Sequence, residues 1–154
     1  MTVNSNRSIK KSMLSKPIMS LKVCIMTPDQ IFWNKEVEEI ILPTNTGQMG
    51  VLTNHAPVIT ALDIGVMSIR TKNEWSPVAL MGGFALVKQN QVTVLVNEAE
   101  SIEDIDVELV EQLYTEAREK LESAATEKEK VEANSIFKRA KARYQMVKQE
   151  GLPS

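Results

Sequence analysis

Two periodicities divide the chain. From Leu21 to about Glu98, apolar residues alternate in short runs broken by turn residues; beyond Glu98 they recur every three or four positions. Leu21, Val23 and Ile25 fall on one face of an extended segment, so Leu21–Thr27 predicts a half-buried strand ending at the Pro28-Asp29 turn. Val37–Leu42 is rich in β-branched residues and predicts a strand that stops at Pro43. Two glycines bracket Gln48 and Met49 in a tight turn over Asn45–Gly50. Val58–Leu62 and Val66–Arg70 predict two short strands split by Asp63-Ile64-Gly65, with a turn at Lys72-Asn73. Trp75–Met81 and Phe84–Val87 read as strand with a bulge at Gly82-Gly83, and Gln89-Asn90 turns the chain into Val92–Val96. Strands at this regular spacing imply a small antiparallel sandwich or barrel.

The second half carries helical stripes. Val107, Val110, Leu113, Ala117 and Leu121 lie on one face of a helix that Asp106 can cap, with Glu108 in its first turn. Ser123-Ala124-Ala125 makes a short connection, and Thr126 with Glu129 gives a capping box for a second helix. Ala133, Phe137, Ala140, Tyr144 and Val147 form its seam, and Gly151 and Pro153 supply a stop. Two striped helices joined by a short connection make an antiparallel hairpin. Alanines fill much of both stripes, so the hairpin is expected to be weakly held and able to leave its support. The fold class is therefore α+β: an N-terminal antiparallel β-sandwich over residues 21–98, then a C-terminal antiparallel α-helical hairpin over 99–154.

Composition narrows the chemistry. A net charge of −2 on 154 residues predicts no nucleic-acid partner. Cys24 is the one cysteine, which excludes an intrachain disulfide, and its apolar context predicts a small buried hydrophobe. Apolar runs fall far short of the ~20 residues of a membrane span, so membrane association is expected only through partners. Residues 1–20 differ: Arg7, Lys10, Lys11 and Lys16 stand among recurrent serines with no acidic residue. That composition has the flavour of a transit peptide and predicts a disordered leader.

No nucleophile–base pair, no metal-ligand spacing and no phosphate loop stands out, so no catalytic residue, metal or cofactor is expected. His55, the one histidine, reads as a turn residue bonded to the backbone before Pro57, or as a docking or pH-sensitive contact. Thr46 and Gln48 sit in a small polar loop that reads as an exposed hairpin tip. Gly82 and Gly83 read as bulge residues or as a place of close backbone approach. Lys138, Arg139, Lys141, Arg143 and Lys148 fall in a stretch without an acidic residue, either a solvated basic face or an arm for an acidic partner. Nucleic acid fits poorly, because Phe137 and Tyr144 lie on the apolar stripe.

The segments CIMTPDQIFW (Cys24–Trp33), EEIILPTNTGQMGVLTNHAP (Glu38–Pro57), ALMGGFALV (Ala79–Val87), VTVLVNEAE (Val92–Glu100) and KRAKARY (Lys138–Tyr144) occur in an order and spacing that resemble the epsilon subunit of the rotary F-type ATP synthase. The wording looks closest to the plastid and cyanobacterial branch, with a green-algal flavour. The resemblance implies a non-catalytic rotor subunit that couples gamma to the c-ring and inhibits ATP hydrolysis through its C-terminal helices. It implies contact of Thr46 and Gln48 with the c-ring, and of His55, Gly82 and Gly83 with gamma. Lys138, Arg139, Lys141 and Arg143 would dock on the beta subunits of the alpha/beta head. It places the protein on the stromal side of the plastid thylakoid membrane, or on a cyanobacterial thylakoid or bacterial inner membrane. Some relatives bind ATP in the folded hairpin; here Ile105-Asp106, Arg139 and Arg143 fit their pattern, but Leu109 stands where it needs an arginine, which argues against nucleotide binding. The rival reading is a stand-alone nucleotide-sensing module; a small hydrolase on a β scaffold is more remote.

Overall fold

The computed structural model describes residues 20–149, so the expectations for residues 1–19, Gly151 and Pro153 lie outside the described residues. The strands are β1 Leu21–Met26, β2 Ile31–Val37, β3 Glu39–Thr44, β4 Gly47–Val51, β5 Val58–Thr71, β6 Glu74–Lys88, β7 Gln91–Val96 and β8 Ala99–Glu100. A 3-10 turn at Ile102–Asp104 leads to the helices α1 Val107–Ser123 and α2 Glu127–Lys148. The strand order is β2-β1-β7-β6-β5-β3-β4, with β8 paired to β6.

β5 and β6 form one long ribbon, paired from Val58↔Val87 to Thr71↔Glu74. The expected break at Asp63-Ile64-Gly65 is therefore a bend within one continuous strand, opposite the bulge expected at Gly82-Gly83, and this bend lets one ribbon serve both layers. Gly82 and Gly83 have φ of 78° and 152°, and a Cβ on Gly83 would lie 2.0 Å from the Leu95 carbonyl oxygen. Only glycine fits where the ribbon crosses β7 so closely. On the other strand of the bend, Gly65 lies beneath Pro43, whose Cβ would be 2.9 Å from an added methyl. β3 continues through Pro43 to Thr44 instead of stopping, because the proline sits where pairing with β5 is already irregular.

One further expectation is corrected, and one strand is added. The sandwich is not wholly antiparallel: β1 and β7 pair in parallel, Lys22↔Gln91 to Met26↔Leu95. β2, not foreseen as a strand, is an edge strand whose exposed Asn34, Lys35 and Glu36 keep it polar where no neighbour covers it. Leu21, Val23, Ile25, Ile40, Leu42 and Leu80 are fully buried between the layers. Cys24 points the other way from its neighbours on β1 and is half-buried, outside that core.

The helices start as their caps dictate. The Asp106 carboxylate accepts from the Glu108 N–H at 3.1 Å, and the Thr126 hydroxyl accepts from the Glu129 N–H at 3.1 Å. Glu129 returns a bond to the Ala125 N–H rather than to Thr126, so the capping box is displaced by one residue. α2 ends at Gln149, which takes the left-handed conformation with φ 55°. The predicted α1 stripe is partly wrong: Val110 and Ala117 are buried, but Val107 and Leu113 are exposed. Tyr114 faces α2 instead and stacks against Phe137 and Tyr144, at centroid distances of 5.6 and 4.5 Å. The α2 seam toward α1 is as expected, with Ala140 buried and Phe137 and Tyr144 half-buried. A second face of α2 was not foreseen. Ala142 and Met146 bury themselves against Ala79 and Met81 of β6, rimmed by Ile64, Val66 and Ile105. α2 thus lies between the sandwich and α1.

Candidate partner-binding surfaces

The basic stretch of α2 does not project freely. Lys138 Nζ lies 3.1 Å from both carboxylate oxygens of Asp63, at the ribbon bend. Arg143 grips Glu100 of β8 with two bonds, from Nε at 2.7 Å and Nη2 at 3.0 Å. Arg139 Nη1 lies 3.7 Å from Glu98, while its buried Nε has no partner. Lys141 is exposed and has no carboxylate within ion-pair reach among the described residues. The hydrogen bond to Glu100 raises the Arg143 pKa above its ordinary value; burial opposes this, and the Glu100 and Glu98 charges reinforce it. Three of the four cations expected to meet a partner are therefore turned onto the sandwich.

A second surface was missed by sequence reasoning. Cross-strand pairs share a face, and Ile59↔Leu86, Ala61↔Phe84 and Phe84↔Leu95 carry one apolar strip across β5, β6 and β7. Its members stand in water, with Ile59 73% and Phe84 58% exposed. At its lower end a shallow hollow of ≈ 400 Å³ opens between Met26, Phe84 and Leu95. The signal was present in FALV: apolar residues at every position of Phe84–Val87 imply burial on both faces, while this structure covers only one.

The expected gamma residues bracket this strip rather than cluster. Gly82 and Gly83 form its lower end at the bend. His55 stands beyond the upper end, and four ladder steps from Val58↔Val87 to Leu62↔Gly83 span ~13 Å. Its Nδ1 lies 2.7 Å from the Ala56 carbonyl oxygen, the backbone bond expected before Pro57. Asn54, at φ 65°, donates its N–H to Asn90 Oδ1 at 2.6 Å and ties this loop to the β6–β7 turn. Thr46 and Gln48 are exposed around the β3–β4 tip, held by the Thr44 hydroxyl, which donates to the Gly47 carbonyl.

No group of three or more histidine, cysteine or acidic side chains that could hold a metal occurs among the described residues. Asp106 is occupied as a helix cap and Leu109 is exposed. Arg139 and Arg143 face carboxylates, so a phosphate arriving there must displace Glu98 and Glu100.

A β-sandwich carrying a docked two-helix arm, with one apolar face left bare, defines a protein built to sit against others. Residues 20–102 match the family described as the ATP synthase Delta/Epsilon chain beta-sandwich domain, and residues 103–148 match its long alpha-helix domain. The chain belongs to the ATP synthase delta/epsilon chain family. It is 73% identical over 129 residues to the chloroplastic ATP synthase epsilon chain of Tupiella akineta, covering 84% of this chain and 99% of that one. Identity to the corresponding chain of Chlorella vulgaris is 69% over 134 residues, covering 87% and 100%. The fold is similar to that of a chain in the Euglena gracilis mitochondrial ATP synthase OSCP/F1/c-ring assembly, with a TM-score of 0.71 at 24% identity, covering 80% and 79%.

Proposed function

We propose that this chain is the non-catalytic epsilon subunit of a plastid proton-translocating ATP synthase, seated in the central stalk on the stromal side of the thylakoid membrane. No described helix is long and apolar enough to cross a membrane, which fits attachment through partners. The bare strip of Ile59, Phe84, Leu86 and Leu95 carries the reading, because a stand-alone sensor would leave that face in water. Gamma covers the strip, with His55 and Gly82-Gly83 at its two ends. Thr46 and Gln48 meet the polar loops of the c-ring, so that rotation driven by protons reaches the alpha/beta head. The helical hairpin restrains ATP hydrolysis when α2 docks its cations on an acidic part of the beta subunits.

Phe84→Glu tests this. The side chain points outward, so the isolated variant should fold as the parent does but fail to co-elute with the ATPase. Assembly equal to the parent's would refute the strip as the gamma face. Gln48→Trp is the companion variant at the tip: in reconstituted vesicles, proton pumping should fall more than hydrolysis. Unchanged pumping would remove Thr46 and Gln48 from the c-ring contact.

A further inference from the structure

We infer that the sandwich carries an internal decoy for the arm: Asp63 and Glu100, assisted by Glu98, hold the cations that α2 would offer to an acidic partner, so latching and docking compete for the same charges. The inference rests on the reading of α2 as the inhibitory arm. Its ground is the placement of three carboxylates from two separate parts of the sandwich. Asp63 comes from the ribbon bend, and Glu98 and Glu100 from the last strand and its approach. They meet Lys138, Arg139 and Arg143, which lie within about two turns of one helix. The apolar part of the same joint is small, with only Ala142 and Met146 of α2 fully shut in. The Arg143–Glu100 and Lys138–Asp63 side chains are 23–38% exposed, so salt screens them less than it screens pairs standing in open water. Lys141 stays in water and offers an approaching acidic surface a first contact that breaks no existing pair.

A ligand shifts a two-state element only by its preference for one state. An acidic partner must therefore outbid the decoy, and weakening the decoy favours the docked arm. Replacing a sandwich carboxylate should strengthen inhibition, whereas replacing Lys141, the arm cation outside the latch, should weaken it. This opposition of sign follows from competition and from nothing else in the fold.

The test uses the full chain, alone and in the complex. In Glu100→Gln, the hydrogen exchange of α2 amides around Ala142–Met146 should rise about fivefold, the population factor that ~1 kcal/mol carries. The sandwich amides should not change. Glu100→Arg should open the helix further, and adding Arg143→Glu should close it again by reversing the pair. Asp63→Asn should act like Glu100→Gln. Asp63 also accepts from the Ile64 N–H, so its replacement disturbs the bend, and the Glu100 variants are the deciding ones. In the assembled enzyme, Glu100→Gln should deepen inhibition of hydrolysis about fivefold. Unchanged α2 exchange in Glu100→Gln, or failure of the reversed pair to close the helix, overturns the latch. Faster exchange with unchanged or weaker inhibition leaves the latch standing and overturns the reading of the arm as a charge-docked inhibitor.

Discussion

Within the sandwich, Ile40, Leu42, Val51 and Leu80 have no exposed surface and belong to one apolar core cluster. Where the hairpin meets the sandwich, Ala142 and Met146 meet Ala79 and Met81, and ion pairs complete the contact. The first kind of contact is built from area removed from water and carries no partner preference. The second depends in part on charge, so a surface that offers the right sign can compete for that part. One chain thus contains one joint built on buried apolar area and one in which ion pairs supplement a small apolar contact.

The difference is broken most severely at the bend. Gly83→Ala places a methyl group 2.0 Å from a backbone oxygen of β7, at a φ that side chains rarely adopt. Neither backbone can retreat without parting the β6–β7 ladder. The expected loss is on the order of 3 kcal/mol or more, read as a large fall in the thermal midpoint of the whole chain. A midpoint within two or three degrees of the parent's would mean that the bend is soft.

A matched pair of truncations sharpens the contrast. Ile40→Ala opens a cavity in the sandwich and should cost ~2–5 kcal/mol, lowering the global midpoint. Met146→Ala removes a side chain equally shut off from water. Its loss, ~2–5 kcal/mol at most, should appear as faster exchange in α2 while the sandwich midpoint stays. If Met146→Ala lowers the global midpoint as Ile40→Ala does, hairpin and sandwich unfold as one unit and the joint is not separable.

The same contrast explains what was legible in the sequence. Strand alternation in Leu21–Ile25 and Val92–Val96, the turns at Lys72-Asn73 and Gln89-Asn90, and the caps Asp106 and Thr126 follow from local rules, and the structure has each of them. The continuity of β5 was not legible, because Asp63-Ile64-Gly65 reads locally as a break, whereas Gly82-Gly83 read as a bulge within one strand run. Here they serve a bend that only a second layer requires. The parallel β1–β7 pair joins residues about seventy positions apart, which no local period encodes. In α2, the seam toward α1 was visible at spacings of three and four. Ala142 and Met146 were not, because a helix held between two neighbours has two apolar faces and its single-stripe pattern blurs. The basic stretch was visible as charge, but its partners Asp63, Glu98 and Glu100 are contributed by distant segments. The outer strip was hidden for the opposite reason: its apolar residues looked like ordinary core.

The smallest expected effect is also the cleanest division between the two joints. Removing Lys138, Arg139 or Arg143 both opens the latch and strips charge from the arm, so a change in inhibition there mixes two opposed effects. Lys141 lies among them on the same helix, exposed and with no carboxylate within ion-pair reach among the described residues, although it borders the hollow that Asp63 lines. Lys141→Ala keeps helix propensity and leaves the latch intact, so α2 exchange in the isolated chain should match the parent's. In the complex, the variant loses one docking charge and no latching charge. An exposed pair is worth ~0–1 kcal/mol, so inhibition should weaken by up to about fivefold at low salt and converge on the parent's as salt rises. Equal inhibition by Lys141→Ala and the parent at low salt would show that the flank of α2 bearing Lys141 meets no acidic surface in the assembled enzyme. The latched cations would then have to be released before any of them could act.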